Sequence, residues 1–316
     1  MDILQRQMSF DSCTDDERIF ARVFEPADKT DVRAVLQIAH GMAEHSLLYV
    51  DFARALAAKG YSVAINDHLG HGKSVTAGGA YGYFGKGGCQ NLVKDMHKLY
   101  GLMRKDYPNI PYVLMGHSMG SFLARSYAAQ YGDELTAVIF MGTCGSPGAA
   151  VLSTQKRISN AIVKKKGEKS HDPIFAKLST GKYNSAFTPF RTPNDWISRD
   201  GAQVDIYTND PLCGFDLTAS GYRDIVYLQA EVNSSGWFKK MAKIPILLIS
   251  GGKDPVGGFG KGVRQVAAKL RKTGHEVRLI LYPEARHALL SEINRDEVYE
   301  DIEDFLSSVT MKECQL

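Results

Sequence analysis

The pentapeptide Gly116-His117-Ser118-Met119-Gly120 constrains this chain more than any other segment. It follows a short apolar run at 112–115 and precedes a helix-like stretch at 122–130. A serine between two glycines at a strand-to-helix junction is the mark of a nucleophile elbow, a turn so sharp that the hydroxyl projects above the edge of a sheet. The glycines follow from that geometry, because a strained backbone and a close-packed helix leave no room for side chains beside the serine. Among 30 glycines such a string can arise by chance, but it occurs once and stands in the right context. It implies an α/β sheet and attack on a carbonyl group.

The surrounding pattern agrees. Residues 18–25 alternate polar and apolar as an antiparallel strand with one wet face does, while 34–39 and 61–65 read as buried strands. Between them, 49–59 has helical spacing, with Gly60 placed as a C-terminal cap. A second helix covers about 91–107 and stops at Pro108; the elbow and a strand at 137–141 follow. Strand and helix alternating in this way predict a mostly parallel sheet covered on both faces. The alternation lapses from Gly145 to Lys243, a stretch rich in proline and aromatics that holds both tryptophans. It resumes with strands at 244–250 and 277–282 and helices at 262–272 and 296–309. The expected organisation is a sheet domain from 1–145 and 244–316, with 146–243 inserted as a lid whose aromatics form a small core or line an apolar acyl pocket.

Composition narrows the class. With 44% hydrophobic and 23% charged residues the chain reads as an ordinary globular protein, and a net charge of +3 is too small for a nucleic-acid surface. The one basic cluster, Lys164-Lys165-Lys166 with Lys169, reads as a solvated helix end or loop, and transient contact with a membrane surface is compatible with it. The N-terminus has no continuous apolar segment of a signal peptide, and no apolar run approaches a membrane span, so a cytoplasmic location is expected. Cys13, Cys89, Cys144, Cys213 and Cys314 are scattered, odd in number and without Cys-x-x-Cys spacing, which argues against disulfides and a zinc site. No signal for an oligomeric state is present.

A serine hydroxyl needs a histidine to take its proton and a carboxylate to orient that histidine. Of nine histidines only His275 and His287 lie beyond residue 200. Ligands of open α/β sheets bind at the carboxyl ends of strands, so His287, after the strand at 277–282, is the expected base. His275, before that strand, reads as a surface residue. Asp254, in a glycine turn just past the strand at 244–250, is the expected acid; Asp210 is its nearest rival. The oxyanion formed at an ester needs two backbone N–H groups, and Met119 and Met42 stand in the right places. His40, Gly41 and His117 beside them, with Trp196 and Phe187 of the insertion, are the expected substrate contacts.

Gly72-Lys73-Ser74 imitates a phosphate loop, but Asp67 occupies the position where that motif needs its first glycine. Nor does Gly258-Phe259-Gly260 complete a dinucleotide fingerprint, so no cofactor is expected.

His40-Gly41-Met42-Ala43-Glu44-His45 with Tyr49, the segment Asp67 to Ser74, the elbow, the Asp254 turn and the His287 segment together resemble one branch of the α/β-hydrolases. That branch holds monoacylglycerol lipases, lysophospholipases and serine aminopeptidases. The resemblance covers nearly the whole chain. It implies an α/β-hydrolase fold with a mostly parallel eight-stranded sheet and a helical lid, a Ser118, Asp254, His287 triad, and an oxyanion hole at Met42 and Met119. Two positions depart from the family pattern: Leu69, where an arginine is usual, and Ala43, where a glycine is usual. The expected activity is hydrolysis of an apolar acyl ester such as a monoacylglycerol or lysophospholipid. An aminopeptidase or amidase of the same fold, using acids such as Glu231, Asp205 or Asp216, is the alternative; a hydrolase-fold protein that only binds is a remote one.

Overall fold

The computed structural model of the chain describes residues 2–14, 16–178 and 181–313; Cys314 lies outside them. Four central strands carry apolar runs with no exposed position: β3 (Ala34–Ala39), β5 (Tyr112–His117), β6 (Ala137–Met141) and β7 (Ile246–Gly251). Because successive side chains point to opposite faces, each run feeds two cores. Leu36 and Ile38 enter one, while Val35 and Ala39 enter the other; Val113 and Leu114 divide in the same way. A strand covered on both faces therefore needs an apolar run rather than an alternating one.

The sheet has eight strands in the order β1-β2-β4-β3-β5-β6-β7-β8, completed by β1 (Ile3–Asp11), β2 (Arg18–Pro26), β4 (Tyr61–Asn66) and β8 (Val277–Tyr282). β2 runs antiparallel to both of its neighbours, β1 and β4, and the remaining pairs are parallel. β1 carries no strong apolar signal, since an edge strand needs only one covered face and this one pairs Arg6 with Glu25 at 3.1 Å. Polar side chains on an edge also discourage pairing with another chain.

One face is covered by α1 (Val50–Ala57) and α10 (Arg295–Glu313) through Phe52, Leu56, Ile302 and Leu306. The other is covered by α2 (Cys89–Asp106), α3 (Met119–Gln130) and α9 (Lys261–Lys272) through Leu92, Met96, Leu123 and Val266. Each such fully buried side chain contributes about 1.5–3 kcal/mol.

Between β6 and β7 the described residues form five further α-helices, α4 (Ala149–Lys166), α5 (Pro173–Leu178), α6 (Gly201–Asn209), α7 (Ala219–Val232) and α8 (Ser235–Lys240). Their aromatics do not form a separate core. Phe175, Tyr222, Trp237 and Phe238 join the cluster that also holds Phe122 and Tyr127 of α3. The junction is fixed by Arg125 of α3, which is fully buried. It donates to Cys144 O at 3.1 Å, to Val232 O, and to Asn233 Oδ1 at 3.2 Å, with its guanidinium 4.5 Å over the Trp237 ring. Burial draws its pKa down to about 9. The carbonyls ending α7 supply the negative dipole that a buried cation needs. Lys164, Lys165 and Lys166 form the exposed last turn of α4, where cations suit the helix end, and Lys166 pairs with Asp172 at 2.8 Å.

Candidate active site

Ser118 follows β5 directly, with φ 53 and ψ −119, a conformation that costs a residue with a side chain about 1–3 kcal/mol. The surroundings hold it there. Its N–H donates to Met141 O at 3.0 Å, and its carbonyl accepts from Ser121 N at 2.9 Å and Ser121 Oγ at 2.6 Å. Both flanking glycines are required: a Cβ on Gly116 would lie 2.2 Å from Gly120 O, and one on Gly120 would lie 2.0 Å from Ala39 O.

The end of β7 closes against the loop after β8. A Cβ on Gly251 would meet Ala285 O at 2.1 Å, and Lys253 N donates to Ala285 O at 3.0 Å. Asp254 is thereby buried, with Oδ1 accepting from Val256 N at 2.8 Å. His287 Nδ1 stands 3.0 Å from Asp254 Oδ2, both side chains buried. The imidazole rests on Gly142, where an added Cβ would lie 3.1 Å from Cε1. Gly142 follows Met141, the acceptor of the Ser118 N–H, so three strand ends converge at one point.

Met119 opens α3, so its N–H is among those at a helix start without an intrahelical acceptor. The loop after β3 passes close over the elbow; a Cβ on Gly41 would lie 3.1 Å from Ser118 Cβ. Glu44 props that loop from behind. Its Oε1 accepts from Gly41 N, from Tyr49 OH at 2.5 Å, and from His117 Nδ1 at 3.1 Å. Burial opposes ionisation of Glu44, but the His117 imidazole, with His40 and the Tyr49 hydroxyl, outweighs it and holds the carboxyl well below its usual range. Burial likewise opposes protonation of His117, and Glu44 overrides it, raising the His117 pKa. The two form a buried pair directly behind the nucleophile position.

Ser118, Met42, Met119 and Trp196 all line one cavity of about 740 Å³, walled further by Phe122, Tyr222 and Ile225. Lys182 and Lys261 are its charged lining residues among the described ones, and no carboxylate is.

A family model described as "Serine aminopeptidase, S33" (Hydrolase_4) matches residues 30–294. The chain belongs to that family. Among solved structures, a carboxyl esterase of Bacillus coagulans in complex with glycerol aligns with TM-score 0.90 and 33% identity, over 97% of this chain and 99% of that one. A monoacylglycerol lipase of Mycolicibacterium smegmatis is 28% identical, over 92% of this chain and 93% of its own length. The human monoglyceride lipase is 27% identical, over 94% and 89%.

Not every expected residue of this S33 chain reaches the cavity. Trp196 does, and its ring also lies 5.1 Å from that of His287. Phe187 does not line it and instead sits under Arg286, whose guanidinium is 4.1 Å from its ring. His40 is fully buried behind the loop, donating from Nδ1 to Gly41 O at 2.8 Å and accepting at Nε2 from His68 N at 2.9 Å. Gly41 and His117 likewise stand behind the cavity wall, in contact with Glu44. The loop after β3, with its polar groups turned inward, accounts for His40 and Gly41, and the Glu44 carboxylate holds His117 at the end of β5. His275 is buried rather than at the surface, its ring nitrogens 3.1 Å from Leu270 O and 3.2 Å from Met241 O. Asp210 lies against His45, not His287.

Leu69 packs in the core with no ion pair to make. Ala43 has φ 53, the left-handed conformation that explains why glycine is usual there. Sequence reading assigned no role to Glu44, Arg125 or Glu292. Glu292, fully buried, accepts from Arg286 N at 2.7 Å and Arg199 Nε at 2.8 Å, tying the His287 loop to the inserted segment. Carboxylates in loops look alike until their donors are known.

Proposed function

We propose that this S33-family hydrolase cleaves carboxylic esters with an apolar acyl chain, monoacylglycerols foremost, through an acyl-enzyme on Ser118. The observation that carries the reading is Ser118 opening into an apolar cavity of about 740 Å³ that no described carboxylate lines. The monoacylglycerol lipase relatives support the choice of ester.

In this reading His287 takes the Ser118 proton as Oγ attacks the ester carbon. The Met42 and Met119 N–H groups receive the negative charge that builds on the carbonyl oxygen. The protonated His287 gives its proton to the leaving alcohol, and a water activated by the same imidazole then releases the fatty acid. Asp254 keeps the proton on Nδ1, leaving Nε2 free to act as base. Residues 146–243 act as the lid over the hydrolase core of 1–145 and 244–316, and they set the acyl preference.

An aminopeptidase needs an anionic group to meet a free ammonium. Glu231 is bonded to Ser126 at 3.1 Å, Asp205 pairs with Arg191 at 2.6 Å, and Asp216 is exposed. None of the three lines the cavity, so ester hydrolysis is the better fit. A chain-length series of monoacylglycerols and p-nitrophenyl esters, with amino-acid p-nitroanilides alongside, tests this on wild type and Ser118→Ala. Faster turnover of anilides, or ester hydrolysis retained by Ser118→Ala, overturns it.

A further inference from the structure

Where the inserted segment meets the loop after β3, three different metal-ligating side chains converge. His45, Asp210 and Cys213 offer Nε2, a carboxylate oxygen and Sγ, and these atoms all lie within 4.8 Å of one another. They come from opposite sides of a seam. His45 precedes the turn at Ser46–Tyr49 and is buried, whereas Asp210 and Cys213 belong to the loop after α6. His45 Nε2 is 3.0 Å from Asp210 Oδ2.

The loop presents its two ligands in a fixed turn. Asp210 Oδ1 accepts from Leu212 N at 2.8 Å, and Asp210 O accepts from Cys213 N at 3.0 Å, so Oδ2 and Sγ emerge on the same side. The next residue is anchored across the seam, Gly214 N donating to Ala43 O at 2.9 Å, joined there by Tyr207 OH at 3.2 Å. Hydrogen bonds of this kind, made by the residues around the ligands, orient them before a metal arrives.

We propose that His45, Asp210 and Cys213 form a zinc site that clasps the inserted segment to the loop bearing Met42. Nitrogen, oxygen and sulfur donors together suit Zn²⁺, with Zn–N and Zn–O near 2.0–2.2 Å and Zn–S near 2.3 Å. The half-exposed sides of Asp210 and Cys213 leave a fourth position for water. The proton balance is simple. Cys213 loses its thiol proton to solvent, the His45 proton moves from Nε2 to Nδ1, and Zn²⁺ with one thiolate and one carboxylate is neutral. The tautomer change gives up the Leu47 N–H contact to Nδ1, which at 3.4 Å is long and weak. Three protein ligands and that loss place the affinity below that of a four-ligand structural site.

The test is titration of the whole metal-free protein with Zn²⁺ against a chromophoric chelator, and separately with Co²⁺ followed by absorption. Wild type should take up one equivalent of Zn²⁺, and Cys213→Ser and Asp210→Asn should each weaken that uptake at least about tenfold. Bound Co²⁺ should show a thiolate-to-cobalt charge-transfer band that Cys213→Ser abolishes. Uptake unchanged in Cys213→Ser, or cobalt bound without the thiolate band, overturns the proposal. Neither readout depends on the esterase reading, and circular dichroism of Cys213→Ser without metal verifies that this variant is folded.

Discussion

Trp196 lies with its ring centre 5.1 Å from that of His287, the two planes tilted by 36°. The residue is held there by its own segment, its N–H donating to Asn184 Oδ1 at 2.8 Å, while the neighbouring Ile197 O accepts from Ala288 N at 2.8 Å. The inserted segment thus does two things at one place: it walls the cavity and braces the imidazole proposed as the base.

Removing that brace should slow the chemical step. Trp196→Ala is expected to lower kcat about fivefold even on p-nitrophenyl acetate, whose acyl group is too short to need the cavity wall, since an aromatic pair contributes about 1 kcal/mol. Trp196→Phe should restore most of it. If acetate turnover is untouched and only long-chain KM rises, Trp196 is a pocket wall and nothing more.

Asp254→Asn should keep the fold and lose the reaction. With the amide in place of the carboxylate, the Nδ1 that stands 3.0 Å from Oδ2 loses the acceptor that fixes its tautomer. A fall in kcat of about 10⁴-fold is expected. Steady-state rates at saturating ester, with circular dichroism as the folding control, decide it; a loss under tenfold removes Asp254 from the proposed triad.

Two glycines should respond in opposite directions to alanine. Gly120→Ala places a methyl 2.0 Å from Ala39 O, a backbone atom that cannot step aside, and should cost about 3 kcal/mol or more. Gly101, inside α2, has nothing within 4 Å of its would-be Cβ. There alanine should stabilise by up to about 1 kcal/mol. Thermal unfolding of both variants measures the contrast, and a lower Tm for Gly101→Ala counts against the account of α2.

Ala43→Gly should also stabilise. Relief of the left-handed strain at φ 53 is worth about 1–2 kcal/mol, and the greater freedom of glycine in the unfolded chain offsets about half of that. A Tm below wild type would mean that the buried methyl matters more than the backbone.

Acid should weaken the fold near neutrality, not only at carboxylate pH. Burial holds the His40, His68 and His71 pKa values below the usual 6.5, that of His71 down to about 3. The unfolded chain binds protons at these three below about pH 6.5 and the folded chain does not, so stability is full above that value and falls as pH drops toward 3. His117 works in reverse, since Glu44 overcomes burial to raise its pKa; its contribution is present at low pH and lost as pH rises through the folded value. Three against one predicts a net fall from pH 7.5 to 5, at up to about 1.4 kcal/mol per pH unit for each histidine. Unfolding midpoints in urea across that range should show a shallower slope for His68→Asn. An identical slope removes His68 from the account.

Local chemistry was readable along the chain wherever one segment carries a complete signal. The elbow needs five consecutive residues, and the buried strands announce themselves as apolar runs because both of their faces are covered. The chain positions of Asp254 and His287 followed from a rule about strand ends, and the structure brings those two together at 3.0 Å. Where a side chain's partner is distant in sequence, the reading failed. By its sequence neighbours His275 reads as a surface residue, yet Met241 O lies 3.2 Å from its ring; Phe187 reads as a pocket wall, yet Arg286 covers it. His40 and Gly41 belong to the right loop but face away from the cavity, because Glu44 and His68 take their polar groups from behind.

The amino-acid sequence by itself determined the sheet, the elbow and the family, since periodicity, glycine sterics and short motifs act over neighbouring residues. Only the tertiary structure decided which side chains line the cavity and that His45 meets Asp210 across 165 residues. Those contacts depend on how the inserted segment docks, and docking is set by Arg125, Trp196 and Glu292 acting over long separations, where no local pattern records the partner.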